Sequence, residues 1–209
     1  MILTLIAFLI LLLIFLSLLF YKLIFLRDPE RNIPVGDSIV SPADGKIISI
    51  ISLNNPKIKI KKGLLGKIRT LAPSDCKDGY LITIMMNILN VHVQRSPLEG
   101  IIMDIKHSPG TFKNAVYGDK FKNGLENEKN EILIKNKKIG SIKVIQIAGL
   151  VARRIECFVQ KKQKVNKGDR IGRIMLGSQV SLILPKKARL LAKEGDKAKA
   201  GETVLAYVR

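Results

Sequence analysis

The sequence contains no tryptophan, and aromatic residues make up only 5% of its 209 residues. Proteins that bind single-stranded nucleic acid stack the bases on aromatic side chains, so this scarcity disfavours that class. Cysteine and histidine are equally scarce, with two residues of each type. They provide neither a disulfide framework nor a cluster with metal-ligand spacing, which disfavours zinc hydrolysis and predicts no metal site.

Charge is absent from the first 21 residues, Met1 to Tyr21, and the apolar run resumes as Leu23 to Leu26. A helix of this length spans about 30 Å, the thickness of the hydrocarbon core of a bilayer. No basic residue precedes the run and no Ala-x-Ala site follows it. This pattern favours a retained membrane anchor over residues 1–26 rather than a cleaved signal peptide. A hairpin that dips into one leaflet is the alternative.

Acidic residues are also few: 17 Asp and Glu stand against 36 Lys and Arg, which gives a net charge of +19. Lys22, Arg27 and Arg31 follow the apolar run, and the positive-inside rule therefore places residues 27–209 on the cytoplasmic side of the cell (inner) membrane. The charge favours anionic lipid as the partner, since each nearby Lys or Arg contributes about 1 kcal/mol. A merely solvated basic surface is one alternative. Nucleic acid is another, but no recognisable binding motif supports it.

Short apolar runs separated by Gly, Pro, Asn and Asp follow the anchor, and they predict strands. The predicted strands are 39–40, 46–52, 80–86, 91–94, 99–105, 131–134, 141–147, 154–160, 180–184 and 204–208. Helical periodicity is rare beyond the anchor, and residues 147–153 are the best candidate for a short helix. This pattern predicts a mainly β domain, folded as a compact sandwich or barrel.

A turn motif occurs twice, as Lys167-Gly168-Asp169-Arg170 and as Glu194-Gly195-Asp196-Lys197. It resembles the turns of lipoyl and biotinyl carrier domains and of the related barrel-sandwich hybrid folds. The sequence has no lysine in the setting that such a swinging-arm cofactor requires. The repeat therefore predicts a fold and not a carrier function.

Two Gly-Ser steps differ in their surroundings. Gly140-Ser141 lies in a lysine-rich segment that is typical of a hairpin turn. Gly177-Ser178 lies between two apolar runs, where an ordinary hydrophilic turn is not expected. The second step is therefore the candidate for chemistry.

Six segments, in order between residues 25 and 185, share a resemblance to one enzyme family. They are Phe25–Arg31, Ser41–Gly45, Asn90–Pro97, Asn127–Asn130, Gln146–Arg154 and Gly172–Ser178. In this order they resemble the successive signatures of the short-form phosphatidylserine decarboxylase proenzymes. The match covers most of the chain beyond the anchor.

The resemblance implies that the chain cleaves itself between Gly177 and Ser178, into a large chain of residues 1–177 and a small chain of residues 178–209. The Ser178 hydroxyl attacks the Gly177 carbonyl, and elimination and hydrolysis leave a covalent pyruvoyl group at residue 178. That group then forms a Schiff base with the amine of phosphatidylserine and, as electron sink, permits decarboxylation to phosphatidylethanolamine.

An unactivated serine is a poor nucleophile, and the resemblance assigns His92 as its base and Asp44 as the carboxylate that orients the base. Without the resemblance, Asp44 in Pro-Ala-Asp-Gly is a turn residue, and His92 between two valines is a buried histidine. The phosphate of the lipid requires cationic partners, and the candidates are Arg95, Arg153 and Arg154.

Two positions depart from the family pattern. Gln179 follows Ser178 where many relatives have a small hydroxyl residue or arginine, so the rate of self-cleavage stays open. Leu89 stands where longer-form relatives have a second histidine, so the acid that protonates the product stays unassigned. The sequence also leaves open a diacyl or an archaeal ether lipid (archaetidylserine) as substrate, and a homo-oligomer as the assembly.

A protein without enzymatic activity is the alternative from a different class. The turn repeat also suits a membrane-anchored adaptor of barrel-sandwich type. An adaptor of this type is expected to contain long coiled-coil heptads, which the sequence does not show.

Overall fold

A computed structural model describes residues 2–62, 66–109, 127–149, 154–175 and 179–208. The chain begins with the helix α1 (Ile2–Phe20), which widens into a π-helical turn over Tyr21–Phe25. A short 3-10 turn covers Ser74–Cys76. The strands are β1 (Ser38–Val40), β2 (Gly45–Leu53), β3 (Lys57–Lys62), β4 (Gly66–Leu71), β5 (Gly79–Met85), β6 (Val93–Arg95), β7 (Gly100–Ser108), β8 (Lys129–Asn136), β9 (Gly140–Ile147), β10 (Arg154–Cys157), β11 (Lys164–Val165), β12 (Arg170–Met175), β13 (Gln179–Pro185), β14 (Ala188–Leu190), β15 (Lys197–Ala198) and β16 (Val204–Val208).

The largest sheet contains eight strands in the order β11-β7-β8-β9-β13-β5-β2-β15, and it curls into a half-barrel. Two three-stranded sheets, β1-β16-β14 and β10-β12-β6, and the hairpin β3-β4 accompany it. The sequence prediction of a mainly β fold with an N-terminal helix is confirmed.

Strand β13 lies inside the large sheet between β5 and β9, and all seven of its residues are buried. Both of its faces meet apolar side chains, which explains why Leu182–Leu184 is a continuous apolar run. Leu182 packs in the main core and Ile183 packs in a second core beneath the hairpin β3-β4. These cores are aliphatic: among the largest fully buried side chains of the described residues, Phe25 is the aromatic one.

The Gly-Asp motif that occurs twice in the sequence folds into two equivalent turns. In each, the carboxylate accepts a hydrogen bond from the backbone N–H three residues earlier, at 2.7 Å for Asp169 and 2.8 Å for Asp196. Each turn also exchanges two backbone hydrogen bonds with a neighbouring segment, the first with Ser96 and the second with Ile47. The motif is thus a structural repeat as well as a sequence repeat.

Two Ser-Pro bends, Ser41-Pro42 and Ser96-Pro97, bring distant parts of the chain together. Each serine hydroxyl donates to the carbonyl two residues ahead at 2.7 Å. The two bends also exchange backbone hydrogen bonds of 2.9 Å. Asp44 comes shortly after the first bend and His92 shortly before the second, so this pairing holds the two residues in the same part of the fold.

The linker between the helix and β1 packs against two glycines, Gly168 in the first repeated turn and Gly201 beyond the second. The side chain of Ile33 packs directly on Gly168 and Gly201, which have φ values of 87° and 77°. A Cβ atom at these glycines would lie 2.4 Å and 2.9 Å from the Cδ1 atom of Ile33. Both positions therefore favour glycine for its backbone conformation and for its lack of a side chain.

Two details differ from the sequence predictions. The expected helix over residues 147–153 is wrong where the structure describes it, because Ile147 ends β9 and pairs with Gln179 and Lys129; residues 150–153 lie outside the described residues. The lysine-rich stretch after residue 57 is the hairpin β3-β4, which the sequence prediction missed. Ile58 and Ile60 alternate with its lysines and are buried.

The Gly168 contact predicts a measurable stability difference. Gly168→Ala and Gly195→Ala both place alanine at positive φ, in equivalent turns, at a cost of about 1 kcal/mol each. Gly195 has no neighbour within 4 Å, whereas Gly168 faces Ile33, so Gly168→Ala should lower the free energy of unfolding further. Urea unfolding of the detergent-solubilised full chain measures both losses. Equal losses would show that Ile33 does not constrain this turn.

Candidate active site

His92 lies between β5 and β6 and is completely buried. Neither ring nitrogen has a hydrogen-bond partner among the described residues. Burial lowers the pKa of His92 from its ordinary value of 6.5, and the charge of Arg27 lowers it further, while the carbonyl of Asn90 and the charge of Asp44 oppose the shift in part. The imidazole is therefore neutral at pH 7 and able to accept a proton.

Phe25, the last residue of the apolar helical segment, covers His92. The two ring centroids are 4.1 Å apart, and only 1% of Phe25 is exposed. By contrast, the rest of the segment from Ile2 onward is largely exposed. The contact therefore joins the end of the helix directly to the buried imidazole.

Asp44 occupies the turn before β2, where it receives four hydrogen bonds. Arg31 donates to both carboxylate oxygens at 3.0 Å and 3.1 Å, and the backbone N–H of Ala200 donates to Oδ1 at 2.8 Å. The N–H of Val91 donates to Oδ2 at 3.4 Å. Only small fractions of the Arg31 and Asp44 side chains, 6% and 11%, are exposed, so this is a shielded ion pair.

Asp44 therefore holds the backbone immediately before His92 rather than the imidazole ring. Among the described residues no hydrogen bond joins Asp44 to the His92 ring, so the predicted role of Asp44 in orienting His92 would act through the backbone. Its position does support an indirect role, since the bond to Val91 fixes the segment that carries His92. Arg31, the partner of Asp44, was not singled out as a site residue from the sequence.

A chain of buried amides runs through the strands next to His92. Asn130 donates to Gln146 at 2.9 Å, Gln146 donates to Gln94 at 2.8 Å, and Gln94 donates to the carbonyl oxygen of His92 at 2.8 Å. Gln179 is also fully buried, and neither of its side-chain amide atoms has a partner among the described residues. This chain was not predicted from the sequence, although amides inside otherwise apolar strands were the signal that could have revealed it.

The predicted arginines differ in their surroundings. Arg95 is 4% exposed and donates to Asp28 at 2.9 Å and to the carbonyls of Pro29 and Gly168 at 3.0 Å. These bonds hold the linker against the domain, and they do not support the predicted contact with a substrate phosphate. Arg154 is exposed and is paired in register with Met175, the last described residue before the Gly177-Ser178 step.

Three predicted site residues, Arg153, Gly177 and Ser178, lie outside the described residues. The described chain reaches Met175 at the end of β12 and resumes at Gln179 in β13. The backbone N–H of Ile174 donates to the carbonyl of His92 at 3.1 Å. The strand that leads to the Gly-Ser step is therefore attached to the residue predicted to act as its base.

Fold and site together define a class: a mainly β domain with a buried neutral imidazole and an ion-paired carboxylate, next to the end of a long apolar helix. The family model described as phosphatidylserine decarboxylase matches residues 18–206. The chain is 35% identical over 190 residues to the phosphatidylserine decarboxylase proenzyme of Burkholderia pseudomallei strain 1106a, covering 90% of this chain and 79% of the relative. The corresponding proenzyme of Burkholderia mallei strain SAVP1 is 34% identical over the same length.

The chain therefore belongs to the phosphatidylserine decarboxylase family, and it is a decarboxylase enzyme. The resemblance found in the sequence is confirmed. The alternative of an adaptor without enzymatic activity is wrong, because the match to an enzyme family covers nearly the whole chain.

The Phe25 ring over His92 predicts that removal of this ring changes the pKa of His92. Phe25→Ala admits water to the imidazole and should raise the pKa of His92 toward 6.5, whereas Phe25→Leu should keep it low. NMR titration measures this directly, because the chain has only one other histidine, His107, which His107→Gln identifies. Since folding lowers this pKa, the free energy of unfolding should fall as pH drops below 6.5, and less steeply in Phe25→Ala. An unchanged titration in Phe25→Ala would show that the ring is not the cover.

The shielded ion pair predicts a second stability difference. Arg31→Met leaves the Asp44 carboxylate buried without its counter-charge and should cost about 3 kcal/mol. Adding Asp44→Asn should recover part of that loss, because a neutral amide needs no counter-charge. The exposed pair Lys138 and Asp37 is the control, and Lys138→Met should cost less than about 1 kcal/mol. Similar losses at the two pairs in urea unfolding would contradict the inference.

Proposed function

We propose that this enzyme decarboxylates phosphatidylserine to phosphatidylethanolamine, with a pyruvoyl group that it makes from its own Ser178. The relatives named for this lipid cover 90% of the chain, which supports the substrate. The observation that carries the self-processing is the neutral imidazole of His92, which has no hydrogen-bond partner among the described residues and whose backbone is bonded to the strand that leads to the Gly177-Ser178 step.

In the proposed processing, His92 accepts the hydroxyl proton of Ser178 as its oxygen attacks the Gly177 carbonyl. The acyl group of Gly177 moves from nitrogen to oxygen, so an ester replaces the amide. Removal of the Ser178 Cα proton then expels the Gly177 carboxylate and leaves dehydroalanine. Water replaces the nitrogen, which leaves as ammonia. The products are the large chain 1–177 and the small chain 178–209.

The buried residues fit a carbonyl-bearing group at residue 178. His92 and Gln179 both have buried polar atoms without partners among the described residues, and such atoms favour a polar neighbour. The pyruvoyl group would supply an electron sink, through a Schiff base to the substrate amine, for the electron pair left by carbon dioxide. Arg154 is exposed and aligned with Met175, and it remains the candidate for holding the lipid phosphate, together with Arg153.

We also propose that residues 1–26 anchor the chain in the cell membrane and that residues 27–209 form the catalytic domain on its cytoplasmic side. One described helical segment, Ile2–Phe25, is long and apolar enough to cross a bilayer, and its most apolar part is not buried within the protein. The basic residues that follow it, and the net charge of +19, favour the anionic cytoplasmic face.

The processing proposal predicts two chains from one precursor. Intact-mass measurement should find fragments 1–177 and 178–209, the small one lighter by one ammonia than simple hydrolysis would give. Ser178→Ala should abolish both fragmentation and decarboxylation. Ser141→Ala is the matched control, because the step Gly140-Ser141 lies in the ladder between β8 and β9 and should not affect processing. An active, uncleaved chain would contradict the proposal.

A further inference from the structure

A short loop next to the active site exposes two aliphatic side chains. Residues 87–90 connect β5 to the segment that carries His92, and Ile88 and Leu89 in this loop are 50% and 55% exposed. Nothing in the decarboxylation chemistry proposed above uses them. Adjacent exposed aliphatic residues beside an active site indicate a contact with an apolar phase or partner.

Three of the four backbone N–H groups of the loop, those of Asn87, Leu89 and Asn90, have partners within it. The side chain of Asn90 accepts from the N–H of Asn87 at 2.8 Å, and the side chain of Asn87 accepts from the N–H of Leu89 at 2.9 Å. The N–H of Asn90 donates to the carbonyl of Asn87 at 3.1 Å. These donors are already paired within the loop, which lowers the cost of moving it into a medium of low polarity.

Arg27 fastens this loop to the end of the apolar helix. Its guanidinium donates to the carbonyl of Leu89 and, at 2.8 Å, to the carbonyl of Ile24. Ile24 is exposed, whereas the next residue, Phe25, is buried against His92. A single guanidinium thus bridges Leu89 and the end of the exposed helix, where the helix meets the domain.

We propose that Ile88 and Leu89 form a second membrane contact, inserted at the boundary between head groups and acyl chains beside the anchor helix. The inference rests on the proposed membrane location of that helix. Continuity with the helix favours lipid over a protein partner, since Arg27 bonds the loop to the end of the helix and a bilayer that contains residues 2–24 would therefore end close to the loop. His92 follows Leu89 by three residues and would then lie at head-group depth, where a lipid presents its serine.

Because the chain contains no tryptophan, a single introduced tryptophan reports depth without background. Leu89→Trp tests the loop. Leu12→Trp, in the helix, tests the anchor. Met103→Trp is the matched control, because Met103 is 46% exposed on β7, a strand that does not carry the loop or the helix. Each full-length variant is reconstituted into phosphatidylcholine–phosphatidylglycerol vesicles that contain lipids brominated near or far from the head group.

We expect Leu12→Trp to be quenched most by bromines deep in the acyl chain, Leu89→Trp most by bromines near the head group, and Met103→Trp by neither. Quenching of Leu12→Trp but not of Leu89→Trp would overturn the loop contact and leave the anchor intact. A blue-shifted Leu89→Trp emission without lipid quenching would assign the loop to a protein partner instead, which also overturns the inference. Absence of quenching in Leu12→Trp would overturn both the anchor and the contact.

A second variant separates the loop from the chemistry. Ile88→Gln combined with Leu89→Gln should leave chain processing unchanged and should raise KM several-fold for serine lipid in vesicles. The kcat for a short-chain, monomeric serine lipid should stay the same. Equal KM values in vesicles for this variant and the wild type would contradict the inference. A wild-type chain that is found uncleaved would count against the proposed function alone.

Discussion

The contact between Phe25 and His92 is the interaction on which the site depends. An imidazole buried in an aliphatic core has a strong preference for its neutral form, and that preference lasts only while water is excluded. The residue that excludes water here belongs to the end of the apolar helix and not to the β domain. The protonation state of His92 is therefore coupled to the docking of the helix, because movement of the helix away from the domain would let water reach the imidazole.

The linker that follows Phe25 is held by three contacts, two ion pairs and one apolar contact. Arg31 neutralises the Asp44 carboxylate, Asp28 pairs with Arg95, and Ile33 packs on Gly168 and Gly201. Ion pairs that are shielded from water need good geometry to offset the cost of desolvation, and the packing of Ile33 on Gly168 and Gly201 helps to fix the linker that carries Asp28 and Arg31. Linker residues 26–37 thus contribute contacts to the candidate active site and join it to the helix.

Much of this fold was predictable, because alternation of apolar residues and Gly-Asp turns are local signals. The strands around Val180–Leu184 and the turn repeat followed from them. The contacts that build the site are not local: Phe25 meets His92, and Arg31 meets Asp44, between segments that are separate in the sequence. The hairpin β3-β4 was hidden by its lysines, whose charge obscured the buried positions between them. The amide chain was missed because each glutamine or asparagine, taken alone, is an ordinary strand residue.

The position of β13 determines how the two fragments would stay associated after the proposed cleavage. The strand lies between β5 and β9, so the residues after 178 would remain hydrogen-bonded on both sides to the other fragment. The two fragments would stay together as one body without a covalent link between them. Refolding of the cleaved enzyme would differ from folding of the precursor, because the pairing of β13 with β5 and β9 would require two separate chains to meet. The small chain is mostly strand, and the large chain lacks an inner strand of its largest sheet. The precursor would then serve as the only form that folds efficiently, and the finished enzyme would keep its structure chiefly because unfolding is slow.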